Sequence, residues 1–280
     1  TGCGNQSLED NTTGSGNVAV GDRALADNTT ASNNTAVGQF ALQSNTTGHS
    51  NTAIGRSALI LNTTGSENVA LGNSALLDNT TGTHNVALGH DALANNTTAN
   101  NNTAVGESCL VSNTTGSEND AFGFVALASN TTGSNNCAFG AGALDANTTS
   151  SNNTAVGRDA LTENTTGGFN TAVGARSADA VTTGIENVAV GIDSLTDCTT
   201  GDGNTCVGRV AGANITTGDY HTAVGHNALF SATNGNNNTA VGRNAGFDIT
   251  TGGNNLLLGQ DAGRSSSPSG ALTTSSNHIC

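Results

Sequence analysis

Asn62–Asp78 reads NTTGSENVALGNSALLD. The same seventeen-residue unit also starts at Asn11, Asn28, Asn45, Asn79, Asn96, Asn113, Asn130, Asn147, Asn164, Val181, Cys198, Ile215, Ala232 and Ile249. These fifteen units run from Asn11 to Ser265 without an insertion or deletion. A fixed period this short marks stacked coils, in which each repeat touches only its neighbours. With its columns numbered one to seventeen, the unit states what one rung requires.

Column eleven is Gly in all fifteen units, from Gly21 to Gly259, and Gly4 continues it upstream. A side chain is excluded there, by positive φ or by close backbone approach. Column two is Thr throughout, and column seven is Asn in fourteen units, with His221 the exception. Columns seven to eleven, N-[TV]-A-[VIL]-G, are β-rich in composition and short, which predicts a strand. Alternation puts columns eight and ten on one face and seven, nine and eleven on the other. Column ten is Val, Ile, Leu or Phe throughout and column nine is nearly always Ala. Both faces are therefore expected to be covered, one by the chain's own coil and one by another chain. A second short strand is expected at x-A-L, with Leu in column fifteen of eleven units. N-T-T-G reads as a corner, because Asn and Gly tolerate left-handed geometry.

The expectation is an all-β protein: a parallel β-solenoid, β-roll or β-helix, of about sixteen 17-residue rungs over residues 1–265. A C-terminal tail or cap, 266–280, follows and holds the only proline, Pro268. Rungs about 4.8 Å apart would make a rod on the order of 70 Å long. From Val181 onward the leading Asn gives way to Val181, Cys198, Ile215, Ala232 and Ile249, while the Leu column weakens to Gly212, Gly246 and Gly263. The cross-section is expected to change shape there, with Phe247 refilling the volume lost at Gly246.

The 280 residues carry a net charge of −14, with 7 Arg and no Lys. That balance argues against nucleic acid and anionic membrane as partners, since both need basic patches. No segment is long and apolar enough to span a membrane as a helix. The chain begins TGCG, in the middle of an expected strand, and reads as a mature or cut product that stacks end to end with identical subunits. Of the six cysteines, Cys109, Cys137 and Cys206 stand in repeat columns as small residues, and Cys198 shares a unit with Cys206. Cys3 and Cys280, near the two ends, suggest an intersubunit disulfide in an oxidising exterior.

Catalytic motifs are missing: there is no H-E-x-x-H, C-x-x-C, phosphate-binding loop or G-x-S-x-G. Five histidines, His49, His84, His90, His226 and His278, fall in variable columns or the tail and read as surface, while His221 substitutes for a ladder Asn. No cofactor or metal is expected. Asn11, Asn28, Asn45, Asn62, Asn79, Asn96, Asn113, Asn130, Asn147 and Asn164 each open an N-T-T sequon, and Asn33, Asn101, Asn152 and Asn237 open N-N-T. In a secreted eukaryotic protein all would be glycosylation acceptors. The competing reading of the N-T-T column is a stacked amide ladder, along which a glycan on every rung would be crowded. The Thr column also suggests ice binding, although adjacent strand threonines point to opposite faces.

Asn34–Leu42 and Asn153–Leu161, both of the form NTAVG-x-x-AL, resemble repeats of YadA-like heads of trimeric autotransporter adhesins. The N-T-T-G strings are similar to those of phage tail fibres. The resemblance implies a left-handed β-roll packed in trimers. The unit here is longer by its N-T-T-G corner. The functional expectation is an extracellular structural protein without catalytic activity, a filament or fibre subunit on a cell or virion surface. Its partners would be itself, end to end or as a trimer, and glycans. A trimeric adhesin or tail-fibre shaft and an ice-binding protein are the alternatives.

Overall fold

The computed structural model describes residues 1–264 and 272–280, so the loop expected around Pro268 lies outside the described residues. The described chain is a parallel β-solenoid with turns of seventeen residues and no helix. It divides into two compact units, Thr1–Asn136 and Cys137–Cys280. The first holds β1 (Gly2–Cys3), β2 (Val18–Val20), β3 (Thr35–Val37), β4 (Thr52–Ile54), β5 (Val69–Leu71), β6 (Val86–Leu88), β7 (Thr103–Val105) and β8 (Asp120–Phe122). The second holds β9 (Cys137–Phe139), β10 (Thr154–Val156), β11 (Thr171–Val173), β12 (Val188–Val190), β13 (Thr205–Val207), β14 (Thr222–Val224), β15 (Thr239–Val241) and β16 (Leu256–Leu258). Within each unit the strands pair in chain order, parallel and in the register of the repeat, as in Ala53↔Ala70 and Ala155↔Ala172.

Each strand from β2 to β16 has three residues, and the middle one faces in. Ala19, Ala36, Ala53 and Ala155 are fully buried, while Val20 is 40% and Leu71 42% exposed. Seventeen residues enclose a narrow interior, and it is filled by Ala in columns nine and fourteen, Leu in fifteen, and Asn in one and seven. The bulky apolar face of the strand points outward.

The second strand expected at x-A-L does not form; those columns are turns. The reason is geometric. Ala24 and Leu25 are adjacent and both fully buried, which strand alternation forbids. The chain solves this by going left-handed at columns thirteen and fifteen, with φ 55° at Arg23 and 52° at Leu25. Left-handed geometry costs an L-residue about 1–2 kcal/mol, here at each of two positions. Burying a Leu side chain returns roughly 1.5–3 kcal/mol, and the Leu25 N–H also donates to the Ala41 carbonyl of the next rung at 3.0 Å.

Column eleven is Gly for two reasons at once. Gly21 has φ 134°, and a Cβ there would lie 2.5 Å from the Gly38 carbonyl oxygen of the following rung.

The late rungs exchange volume across the interior. At Gly246, space for a side chain is taken by Leu229, Leu257 and Ile249; at Gly212, by Cys206 and Ile215. Loss of Leu in column fifteen is thus matched by larger residues in columns one and nine. Phe247 does not refill that space. Its ring stacks on Phe230 at 5.1 Å between centroids, and Arg264 caps it at 4.6 Å.

Leu272–Cys280, expected as part of a tail or cap, lies on β16 as a further partial rung. The Leu256 N–H donates to the His278 carbonyl at 2.7 Å, and the Thr250 N–H to the Thr273 carbonyl at 2.7 Å. Leu256 and Ile279 form a parallel bridge. The offset is 23 residues, six more than the period, so LTTSSNHIC is a repeat displaced by an insertion.

Candidate functional site

Two buried amide ladders run inside the coil. In column one, Asn62 Nδ2 donates to Asn45 Oδ1 at 2.9 Å and to the Gly65 carbonyl of its own corner at 2.9 Å. In column seven, the Asn51 N–H donates to Asn34 Oδ1 at 2.9 Å, and Asn51 Nδ2 to the Gly65 carbonyl at 2.8 Å. The asparagines therefore pay the polar debt of a tight corner: buried amides and carbonyls satisfy one another from rung to rung. The column-two Thr hydroxyls also bond along the stack, as in Thr46 Oγ1 to the Thr63 carbonyl at 3.0 Å.

This geometry sorts the sequons. Asn28, Asn45, Asn62, Asn79, Asn96, Asn113, Asn130, Asn147 and Asn164 are fully buried, and only Asn11 of that column is partly exposed. Asn62 spends both Nδ2 hydrogens on the ladder, which leaves none to exchange for a sugar. Asn33, Asn101, Asn152 and Asn237 instead stand exposed in column six, where φ is 58° to 63°.

Cys3 is exposed in β1, and Cys280 is half-buried against Leu256. Cys109, Cys198 and Cys206 are buried thiols. Burial pushes Cys109 up to about 12 and Cys198 up to about 11. It pushes Cys206 up as well. His84 pairs with Glu67 at 2.9 Å and His90 with Asp91 at 3.1 Å, all on the surface. An acidic groove in the second unit is lined by Asp159, Glu163, Arg176, Asp179, Thr196 and Asp197. Burial holds the Asp179 carboxyl above the usual carboxylate range, against a hydrogen bond from Thr196. Among the described residues no group of three His, Cys, Asp or Glu converges as metal ligands.

Each unit carries an outward sheet face, which sequence reasoning expected to be covered. Columns eight and ten present Val18, Val20, Ile54, Val69, Leu71 and Leu88 in the first unit, and Phe139, Val156, Val173, Val241 and Leu258 in the second. In-register pairing stacks like on like, as in Val37↔Ile54 and Leu71↔Leu88. Among the described residues Asp120 of β8 is the only charged side chain in these two columns. Column eight is Thr in eight of the fifteen units, so the apolar stripe is column ten, joined by Val18, Val69, Val86, Val188 and Leu256 of column eight. A continuous apolar stripe on an open sheet face marks an interaction surface.

Comparison with protein-family models, with curated proteins and with solved structures finds no match for this chain.

Proposed function

We propose that the chain is an extracellular structural element, a module of a fibre or filament on a cell or virion surface, that associates with copies of itself and carries no catalysis. The observation behind this reading is the open apolar ladder of column ten, widened by the Val and Leu side chains of column eight. Its side chains recur at the rung spacing, so the same face of another copy meets it with matching ridges and grooves. A sheet with few charges and a bulky side chain at every rung is a surface made for burial. The similarity of NTAVG-x-x-AL to YadA-like heads fits a three-fold arrangement, and a lateral pair or filament uses the same face.

The test is the mass of the native particle at micromolar concentration, by light scattering and native mass spectrometry. A trimer, dimer or filament is expected. Replacing Ile54 and Leu71 by Glu should then yield folded monomers, because these side chains point away from the core. A wild-type chain that stays monomeric at 100 μM sinks the assembly reading.

A further inference from the structure

Within the fifteen units His221 is the one residue that interrupts the column-seven asparagines, and it is almost fully buried, at 1% exposure. Its backbone N–H keeps the ladder bond to Asn204 Oδ1 at 3.0 Å. Its ring Nδ1 takes the place of the missing Asn oxygen and accepts the Asn238 N–H at 3.2 Å. A ring nitrogen that accepts from a backbone N–H carries no proton, so the proton of the neutral ring sits on Nε2. Nε2 has no hydrogen-bond partner. In the neighbouring rungs the corresponding Asn204 and Asn238 amides reach the Gly218 and Gly252 carbonyls at 2.9 and 2.7 Å. The imidazole thus reproduces only one of the two bonds it replaces.

We propose that His221 makes its rung an acid-sensitive weak point, at which β14 parts from β15 when the imidazole takes up a proton while the remaining rungs stay closed. Protonation puts a hydrogen on Nδ1, and Nδ1–H then faces the Asn238 N–H, donor against donor. The Gly235 backbone of the following rung favours the cation, but Nε2 makes no hydrogen bond to it, and burial outweighs what it offers. Burial accordingly holds the ring below the ordinary histidine range. The charged group that acts on it is Asp219 of the same rung, which favours the cation but is outweighed by burial. Asp219 is itself tied down, accepting the Asp202 N–H at 2.9 Å. Gly235 and Asn238, the following rung's residues at the ring, carry no charge. Because each rung of a solenoid is held only by its neighbours, a local fault opens locally.

The remaining column-seven positions supply the control. His221→Asn restores the residue found in fourteen of the fifteen units and should fold. Hydrogen exchange followed by mass spectrometry on the full chain, corrected for intrinsic exchange, would compare pH 7.5 with pH 5.5 in both proteins. In wild type, peptides covering Asp219–Val241 should open more at pH 5.5, by up to about tenfold, the ceiling set by one pH unit below the unfolded histidine pKa. Peptides of the first unit should not change. His221→Asn should abolish the effect. Equal protection at both pH values in wild type, or the same acid opening in His221→Asn, overturns the proposal.

Discussion

Asn164 Oδ1 has no hydrogen-bond donor, because the next rung places Val181 where an Asn would supply one. This is where the column-one ladder ends. Asn164 still donates through Nδ2 to Asn147 Oδ1 at 3.1 Å and to the Gly167 carbonyl at 2.9 Å. Beyond it column one is apolar, with Val181, Cys198, Ile215, Ala232 and Ile249 all fully buried. The two unpartnered buried side-chain atoms among the described residues, Asn164 Oδ1 and His221 Nε2, mark the two places where an Asn ladder is interrupted.

A mid-ladder asparagine should therefore matter more than the last one. Asn96→Val leaves Asn79 Oδ1 without its donor and Asn113 Nδ2 without its acceptor, bonds now 2.9 Å each. Asn164→Val disturbs one ladder neighbour and removes an unsatisfied oxygen. The expected difference is about 1–3 kcal/mol, the desolvation penalty of an orphaned polar group. Urea midpoints of the two variants read it, and equal midpoints would show that the ladder contributes no continuity.

Column eleven should tolerate Ala only where nothing follows closely. Gly38 has φ 134°, and its added Cβ would sit 2.5 Å from the Gly55 oxygen, whereas Gly259 has φ 107° and, among the described residues, nothing within 4 Å. Gly38→Ala combines clash with backbone strain, an expected loss of roughly 2–4 kcal/mol. Gly259→Ala carries the strain alone, about 1 kcal/mol. Thermal melts should rank them in that order. The reverse order would mean that the close rung-to-rung approach is not what excludes a side chain.

Folded protein recovered from an N-glycosylating secretory host should carry sugar on Asn33, Asn101, Asn152 and Asn237, and none on Asn45 through Asn164 of column one. A glycan replaces an amide hydrogen, and Asn62 or Asn79 has both engaged. Peptide mapping decides. A glycopeptide at Asn62 in folded material contradicts the closed ladder.

Cys109 should be inert in the native state and should make the fold sensitive to alkali. Its thiol, fully buried, donates to the Ala121 carbonyl at 3.2 Å. Burial raises it from the ordinary 9.0 to about 12. The folded state thus holds the proton more tightly than the unfolded state, so the associated stability is whole below pH 9 and drains as pH rises from 9 towards 12. A thiol reagent at pH 8 should label the exposed Cys3 at once and Cys109 only on unfolding. Cys109→Ala should flatten part of the loss of melting temperature above pH 9. A native Cys109 that labels as fast as Cys3 would falsify its burial.

Much of this molecule is legible in one dimension. The period, the parallel register, the Gly column and the Asn ladders follow from residues 11–265, because a solenoid repeats its contacts at its sequence period. Three features do not. The direction in which the Val/Ala strand faces was undetermined, since alternation separates two faces without saying which is inside; the narrow interior admits Ala and turns Val outward. The x-A-L segment has the composition of a strand, but Ala24 and Leu25 can both reach the core only through left-handed turns. The partial rung Leu272–Cys280 was hidden because a displacement of 23 breaks the period, and only hydrogen bonds to Thr250 and Leu256 reveal the match. Local propensity and spacing set what each column can be. Contact with the rungs above and below decided which way it points.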